Sequence, residues 1–433
     1  MDIARRLGRI RAGFGAAFWV ANTSELFERL AFYGQQAFLL LFLTEKLKLS
    51  VVAAGELMGW FGLMVYALPV LVGSLADRFG FRRALAVAYL FAGTGYFLLG
   101  SVSSSWMRPV RTAVPLYWLL LAILMVTALG PALVKPCVVG TVAVSSTEAV
   151  RSIGYSIYYT LVNVGGALGP LIGAAIVPGF GMEGVFRFCS LAVFAMVAVV
   201  LLFFHEPAEP GAGRAVATVR EALANTLLVL RNWRFVLFLA IFSGYWVTFY
   251  AFFVVMPSYI HRYVAPAMSA AAIGRLLAID GLMIIFFQVL VSYLTRAVAT
   301  FGAMIAGVVL AALSMFTLSL HRSIWMAVAA LVVFSLGEMT QAPRFYEYVS
   351  RLAPSGQQGV FMGYAFLPVA LGYFISGQIG GRLLDYYGGV LHRPQQLWWV
   401  LGGIGAMTAA LMAVYNRLFV PGRGSGFAGK RPA

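Results

Sequence analysis

Long apolar runs recur along the whole chain and are separated by short polar segments. Each run has about 20 residues, the length that an α-helix needs to cross the roughly 30 Å hydrocarbon core of a bilayer. The pattern therefore predicts an all-α integral membrane protein. The twelve predicted spans are residues 14–44, 52–75, 84–103, 113–142, 152–177, 186–204, 235–260, 269–295, 301–319, 323–350, 359–386 and 395–417.

The longest polar break separates the sixth span from the seventh and contains several Pro, Gly and Arg residues. It predicts two six-helix lobes, as in transporters that are built from repeated halves with the substrate held between them. We place the N-terminal lobe at 1–204, a cytoplasmic linker at 205–232, the C-terminal lobe at 233–417 and a Gly-rich, flexible cytoplasmic tail at 418–433.

Composition supports a membrane protein, because 61% of the 433 residues are hydrophobic and 11% are charged; soluble domains contain roughly 25% charged residues. The net charge of +16 could suggest a nucleic-acid partner, but the basic residues lie mostly between the spans, on the side of the N-terminus. The positive-inside rule then places both termini in the cytoplasm. We expect a multi-pass protein of the cell (inner) membrane, with no nucleic-acid partner.

Three ionisable residues lie within the first span: Glu25, Glu28 and Arg29. Their spacing places all three on one face of a helix. Because a charged side chain at the centre of a bilayer costs roughly 2.5–3.5 kcal/mol, such groups normally face a bundle interior or a watery cavity. The cluster is therefore the first candidate for a functional site.

Other spans also contain charged residues. Lys135 lies in the fourth span, where the alternative to a functional role is an ammonium that reaches the membrane interface. Asp280 in the eighth span is expected to face the cavity and contact substrate, and Glu338 in the tenth span is a similar buried acid. Arg344 and Glu347 are spaced i, i+3, and they are either a gating pair or a local pair that neutralises itself.

The segment between the second and third spans reads GSLADRFGFRR from residue 73 to residue 83. It resembles the cytoplasmic loop of the major facilitator superfamily. The resemblance implies the twelve-helix, two-lobed fold of that superfamily and a gating role for Asp77 and Arg78. A plain solvated loop is the alternative.

The sequence ELFERLAFYG at residues 25–34 is similar to the signature of the proton-dependent oligopeptide transporters within that superfamily. Four further segments agree in order: KPC at 135–137, YSIYYTLVNVG at 155–165, GE at 337–338 and RLAP at 351–354. The resemblance implies proton coupling by four residues, of which the lysine is the positive partner of the acids: Glu25, Glu28, Arg29 and Lys135. It also implies substrate contacts for Tyr33, Gln36, Tyr158 and Asn163, with Glu338 facing the amino terminus of a peptide.

Three positions depart from the oligopeptide-transporter pattern. Gln35-Gln36 stands where many members carry another arginine, the acid expected in the seventh span is missing around Trp246, and Ala365 replaces a tryptophan. In the family the first two positions pair across the extracellular gate, so an altered gate or an altered substrate is expected.

Residues 165–173 read GGALGPLIG, which resembles the Gly-Pro signature of proton-coupled drug exporters, although small residues can also serve helix packing alone. Two functions therefore stay open: proton-driven import of di/tripeptides or peptide-like compounds, and proton antiport that exports a drug-like or other organic solute. A substrate-sensing receptor on a transporter fold is a third.

An enzyme is not expected, because the four histidines are dispersed and no nucleophile motif is present. The chain also lacks the phosphate-binding loop of ATP-driven pumps. We therefore expect no cofactor and a proton gradient as the energy source. The expected partners are protons, a small-molecule or peptide substrate and the lipid bilayer, and the protein is expected to be a monomer.

Overall fold

The computed structural model describes residues 13–69, 80–206, 229–352, 361 and 363–420. Eleven long helices account for most of these residues. They are α1 (Ala16–Leu41), α2 (Val51–Ala67), α3 (Phe81–Ser101), α4 (Leu116–Val144), α5 (Glu148–Phe203), α6 (Trp233–Val254), α7 (Ala270–Leu294), α8 (Thr300–Leu320), α9 (Ile324–Leu352), α10 (Leu367–Leu384) and α11 (Leu397–Phe419).

Helix α5 contains both the fifth and the sixth predicted spans. Its backbone leaves helical geometry at Gly181, where φ is +67°, a conformation that glycine adopts without steric cost. The chain reverses there, because a Cβ built on Gly173 would lie 3.2 Å from Val185 Cγ1, although a straight helix would separate these residues by about 18 Å. The two spans, predicted as separate helices, thus form one hairpin without a loop.

Eight of the described helices, α3 to α9 and α11, are long and apolar enough to cross a membrane. Helix α1 carries the three ionisable residues, and α2 and α10 are shorter, with 17 and 18 residues. With α5 counted as two crossings, the helices correspond to the twelve predicted spans. Helix α2 ends at Ala67 and α10 begins at Leu367, and residues 70–75 and 359–360 of the corresponding predicted spans lie outside the described residues.

The helices pack as two lobes of six spans. In the N-terminal lobe α1 packs on α5, and α3 packs on α4 and α5; in the C-terminal lobe α8 packs on α9 and α11, and α6 packs on α10 and α11. The lobes meet along two seams, α2 against α10 and α5 against α7. Glycines permit close contact at the first seam, since a Cβ on Gly59 would lie 2.9 Å from Phe374 O. A space is left between the lobes near the middle of the helices.

Candidate substrate and proton site

The ionisable residues of α1 form one buried cluster. Glu25 and Glu28 are 0% exposed and Arg29 is 1% exposed. Arg29 Nε lies 3.3 Å from Glu25 Oε1, and the guanidinium also forms an ion pair with Glu28. One cation therefore serves two carboxylates.

Glycines of α5 let this helix pack closely against α1 beside the cluster. A Cβ on Gly165 would lie 2.6 Å from Arg29 Cβ, and a Cβ on Gly169 would lie 2.5 Å from Leu30 O. Larger residues at either position would hold the two helices apart. The Gly-rich run of α5 thus has a packing role that is independent of its resemblance to exporters.

Several polar atoms of the cluster lack a hydrogen-bond donor among the described residues. Glu25 Oε2 and Glu28 Oε1 are both buried and have no hydrogen-bond donor. Because buried polar atoms are normally paired, unpartnered carboxylate oxygens in a transport protein are candidate proton acceptors. The cluster can therefore take up a proton without losing an existing hydrogen bond.

Lys135 lies on α4 and is partly buried. Its Nζ is 4.3 Å from the ring centroid of Tyr66 and 4.8 Å from that of Phe366. In the described part of the chain no carboxylate lies within 4.0 Å of this ammonium. Its predicted partnership with the α1 carboxylates stays a prediction, because this structure places the cation between two aromatic rings.

A cavity lies between the lobes, with about 40 Å³ of water-accessible space. The space admits a few water molecules, each of which needs roughly 10–15 Å³ on this scale. Its lining includes Tyr33 and Asn163 from the N-terminal lobe and, from the C-terminal lobe, Phe249, Phe253, Asp280 and Glu338. Tyr33 is one helical turn beyond Arg29 on α1, so the ionisable cluster of α1 and the cavity are adjacent.

Two carboxyl groups lie in the C-terminal wall of this cavity, Asp280 on α7 and Glu338 on α9. Ser335 Oγ donates to Asp280 Oδ1 at 2.6 Å. Arg275 does not neutralise the pair, since its Nε donates to Ala271 O on its own helix at 3.5 Å.

The other predicted substrate residues lie outside the cavity wall. Gln36 is 2% exposed and donates from Nε2 to Tyr373 Oη, so it connects the two lobes. Tyr158 packs against the small apolar cluster around Phe14 and Phe18. Their roles as substrate contacts stay predictions.

Of the four predicted gating residues, Asp77 and Arg78 lie outside the described residues. Arg344 Nη1 and Glu347 Oε2 are 3.2 Å apart, and Glu347 also pairs with Arg351 at 2.5 Å. Arg344 further donates to Thr295 O at 3.4 Å, which ties α9 to the end of α7. These contacts lie within the C-terminal lobe and do not join it to the other.

The sequence analysis missed a set of ion pairs that do join the lobes. Glu45 Oε1, just after α1, lies 3.4 Å from Arg262 Nη2, and Glu45 Oε2 lies 4.0 Å from His261 Nε2. Glu56 on α2 pairs with Arg382 on α10. We call the face that carries these pairs, at the end of α1, the distal face.

These distal pairs could have been suspected from the sequence. The oligopeptide-transporter pattern has another arginine in the first span, where this chain has Gln35-Gln36, and an acid in the seventh span that is missing here. In this structure the two charges are exchanged and lie just beyond the ends of the two spans: the acid, Glu45, follows α1, and the arginine, Arg262, follows α6. The signal in the sequence was an acid at the end of the first span and an arginine at the end of the seventh, and the sequence analysis did not consider these two residues as partners.

Comparison with known proteins agrees with this architecture. The family model of the Major Facilitator Superfamily matches residues 23–377. The chain is 24% identical over 379 residues to the multidrug resistance protein MdtH of Yersinia pestis (strain Pestoides F), which covers 86% of this chain and 88% of that protein. The same protein of Yersinia pseudotuberculosis serotype O:1b (strain IP 31758) matches equally well.

Solved structures share the fold at low sequence identity. A POT family transporter in complex with 5-aminolevulinic acid has a TM-score of 0.74 at 18% identity, covering 92% of this chain and 96% of that one. The nucleoside transporter NupG has a TM-score of 0.71 at 13% identity, covering 92% and 99%. With the family model matched over most of its length, this chain belongs to the Major Facilitator Superfamily and is a multi-pass membrane transporter.

Proposed function

We propose that this protein is a proton-coupled secondary transporter of the oligopeptide-transporter type, which imports di/tripeptides or peptide-like compounds by alternating access. The observation that carries the proposal is the position of the buried Glu25, Glu28 and Arg29 cluster one helical turn from Tyr33 in the cavity wall. The likeness in fold to POT family transporters supports the same conclusion.

The chemistry of the two walls suits a zwitterion. Glu338 offers a carboxylate to the amino group of a peptide, and Asn163 and Tyr33 offer polar groups from the other lobe. A proton on the α1 cluster weakens the hold of Arg29 on its carboxylates, because the neutral acid attracts the guanidinium less. Proton uptake thereby changes the packing of α1 against the cavity, which links the proton to substrate movement.

Alternating access requires the distal face to open, and the distal ion pairs close it in this state. A dipeptide exceeds the present cavity, so the lobes have to separate before substrate enters or leaves. We further propose that the protein acts as a monomer in the cell (inner) membrane, with both termini cytoplasmic and the proton gradient as its energy source.

The test uses purified protein in liposomes with an imposed inward proton gradient and labelled dialanine. We expect accumulation above a zero-gradient control, loss of accumulation in Glu28→Gln, and some exchange without a gradient in that variant. The matched control is Glu148→Gln, the same change at an exposed carboxyl at the start of α5. Unchanged accumulation by folded Glu28→Gln would remove the proton-coupling role.

Antiport that exports a drug-like organic solute is the second candidate. Two observations favour it: the second acid, Asp280, beside Glu338, and the likeness to a multidrug resistance protein. In liposomes with a proton-rich lumen, an antiporter would accumulate a cationic dye against the gradient and leave dialanine outside. The peptide importer would accumulate neither compound under this gradient, and it would accumulate dialanine only under the inward gradient of the first test.

A further inference from the structure

A neutral contact joins the lobes deeper in the protein than the distal ion pairs. Gln36 Nε2 of α1 donates to Tyr373 Oη of α10, and the two residues are 2% and 0% exposed. Tyr373 lies nine positions before Arg382 on α10, which places the contact roughly 13 Å beneath the distal face. On α1, Gln36 is less than one turn beyond Tyr33 of the cavity wall. The contact therefore lies between the cavity and the distal face.

The ring of Tyr373 is seated against the backbone of the other lobe. A Cβ built on Gly62 of α2 would overlap this ring, so only a residue without a side chain leaves room for it. Tyr250 of α6 stacks on the ring, with 3.8 Å between the centroids and 14° between the planes. Tyr373 thus reaches from the C-terminal lobe to α1 and α2 of the N-terminal lobe, while Tyr250 supports its ring from its own lobe.

Glycines line the seam that runs from this ring to the distal face. A Cβ on Gly59 would lie 2.9 Å from Phe374 O, and a Cβ on Gly55, one turn farther out on α2, would lie 2.7 Å from Gly377 O. The backbones of α2 and α10 are therefore in contact along the seam. Separation of the lobes here has to undo the ion pair at the outer end and the contacts of Tyr373 at the inner end.

The two ends of this seam differ in charge. The amide of Gln36 does not titrate, and the phenol of Tyr373 is uncharged at physiological pH. At the outer end Arg382 pairs with Glu56, and the arginine side chain is 54% exposed. Salt screens an exposed ion pair, but it does not screen a buried hydrogen bond between neutral groups. The two ends should therefore respond differently to ionic strength.

We propose that Tyr373 is an inner gate residue. It closes the path between the cavity and the distal face by seating its ring at Gly62 and its hydroxyl at Gln36. This inner gate holds without charge, so its contribution to closure is independent of ionic strength, whereas that of the distal ion pairs is not. The inference rests on the proposed function only in that the lobes separate at the distal face. It goes beyond that function because it adds a second, neutral layer of closure and gives Gln36 the role of holding Tyr373.

The test measures the distance between the lobes by double electron–electron resonance in purified protein. Spin labels are attached to Ser105→Cys after α3 and Val390→Cys after α10, both at exposed positions near the distal face. Protein without the two introduced cysteines gives the background from the buried Cys137 and Cys189. The quantity compared is the ratio of separated to closed lobes.

Tyr373→Phe removes the hydroxyl and keeps the ring. We expect this change and Gln36→Leu each to raise the ratio about two- to tenfold, because each removes the same hydrogen bond. The double variant should raise the ratio no more than either single change. The matched control is Tyr386→Phe, the same change at an exposed tyrosine after α10, and it should leave the ratio unchanged.

Ionic strength separates the inner gate from the distal ion pairs. Between about 0.05 M and about 0.5 M salt, the fold increase caused by Tyr373→Phe should stay constant. The fold increase caused by Arg382→Gln should fall towards one over the same range, because salt weakens the ion pair that this variant lacks.

Three results would overturn the inference. The first is an unaltered distance distribution in both Tyr373→Phe and Gln36→Leu, and the second is a double variant whose increase is the product of the two single increases. The third is a Tyr373→Phe increase that falls with salt as that of Arg382→Gln does. The measurement needs no substrate, so absent dialanine uptake in liposomes would refute the peptide importer and leave the inner gate in place. Dialanine uptake with unaltered distances would do the reverse.

Discussion

Replacing Arg29 with methionine should destabilise the protein more than any single change of its two acid partners. The guanidinium of Arg29 lies 3.3 Å from Glu25 Oε1 and also forms an ion pair with Glu28. All three side chains are at most 1% exposed. Each contact contributes about 5 kcal/mol of attraction at an effective dielectric constant near 20. Desolvation of each ion costs several kcal/mol, so the intact cluster contributes little net stability.

Removing one member upsets this balance. Arg29→Met leaves two buried carboxylates without a cation, a change that costs about 3–5 kcal/mol. Glu28→Gln leaves the pair of Arg29 with Glu25 in place and should cost less, about 1–3 kcal/mol. A triple variant with Gln at both acids and Met at position 29 contains no buried charge, and it should recover most of the lost stability.

The assay is thermal unfolding in detergent, followed by tryptophan fluorescence, together with gradient-driven uptake in liposomes. We expect Tm to decrease in the order unchanged protein, Glu28→Gln, Arg29→Met. The triple variant should have a Tm near that of the unchanged protein but should be inactive in uptake. An Arg29→Met variant as stable as the unchanged protein would refute the electrostatic argument. A triple variant that still couples transport to protons would show that the cluster serves packing alone.

Two further predictions concern helix packing and the distal face. Gly169→Ala should lower Tm by several degrees, because its Cβ would meet backbone atoms of α1. The control Gly179→Ala should leave Tm unchanged, because no atom lies within 4 Å of its Cβ. Equal effects of the two changes on Tm would contradict the packing argument. Arg382→Gln removes the ion pair with Glu56 and should make the distal face open more often. A cysteine introduced at the buried position beneath it, Ser376→Cys, should then react faster with a membrane-impermeant maleimide. An unaltered reaction rate would show that Arg382 does not help to close the distal face.

Hydropathy and charge spacing sufficed to predict the spans and the α1 cluster. Glu25, Glu28 and Arg29 are neighbours on a single helix, so their proximity follows from helical periodicity alone. The fifth and sixth spans were predicted as separate helices with a break at 178–185, but hydropathy did not predict that the chain would reverse there without a loop. The backbone conformation at Gly181 makes this direct reversal possible.

The contacts between helices needed the structure. Asp280 and Glu338 lie 58 positions apart, and their common position in the cavity wall depends on the rotation of α7 and α9 about their axes, which no local pattern encodes. The same holds for Glu56 and Arg382, which belong to different lobes. Hydropathy assigns such residues to a membrane depth but does not assign their partners.

The position of Lys135 between two rings has a mechanical consequence. Lys135 and Tyr66 belong to the N-terminal lobe and Phe366 to the C-terminal lobe, so a rigid rotation of one lobe against the other changes only the distance from the ammonium to Phe366. Each ring attracts the ammonium by about 0.5–2 kcal/mol. The contact with Phe366 therefore favours the present arrangement of the lobes by that small amount, and a rotation that separates them leaves the ammonium with Tyr66 alone.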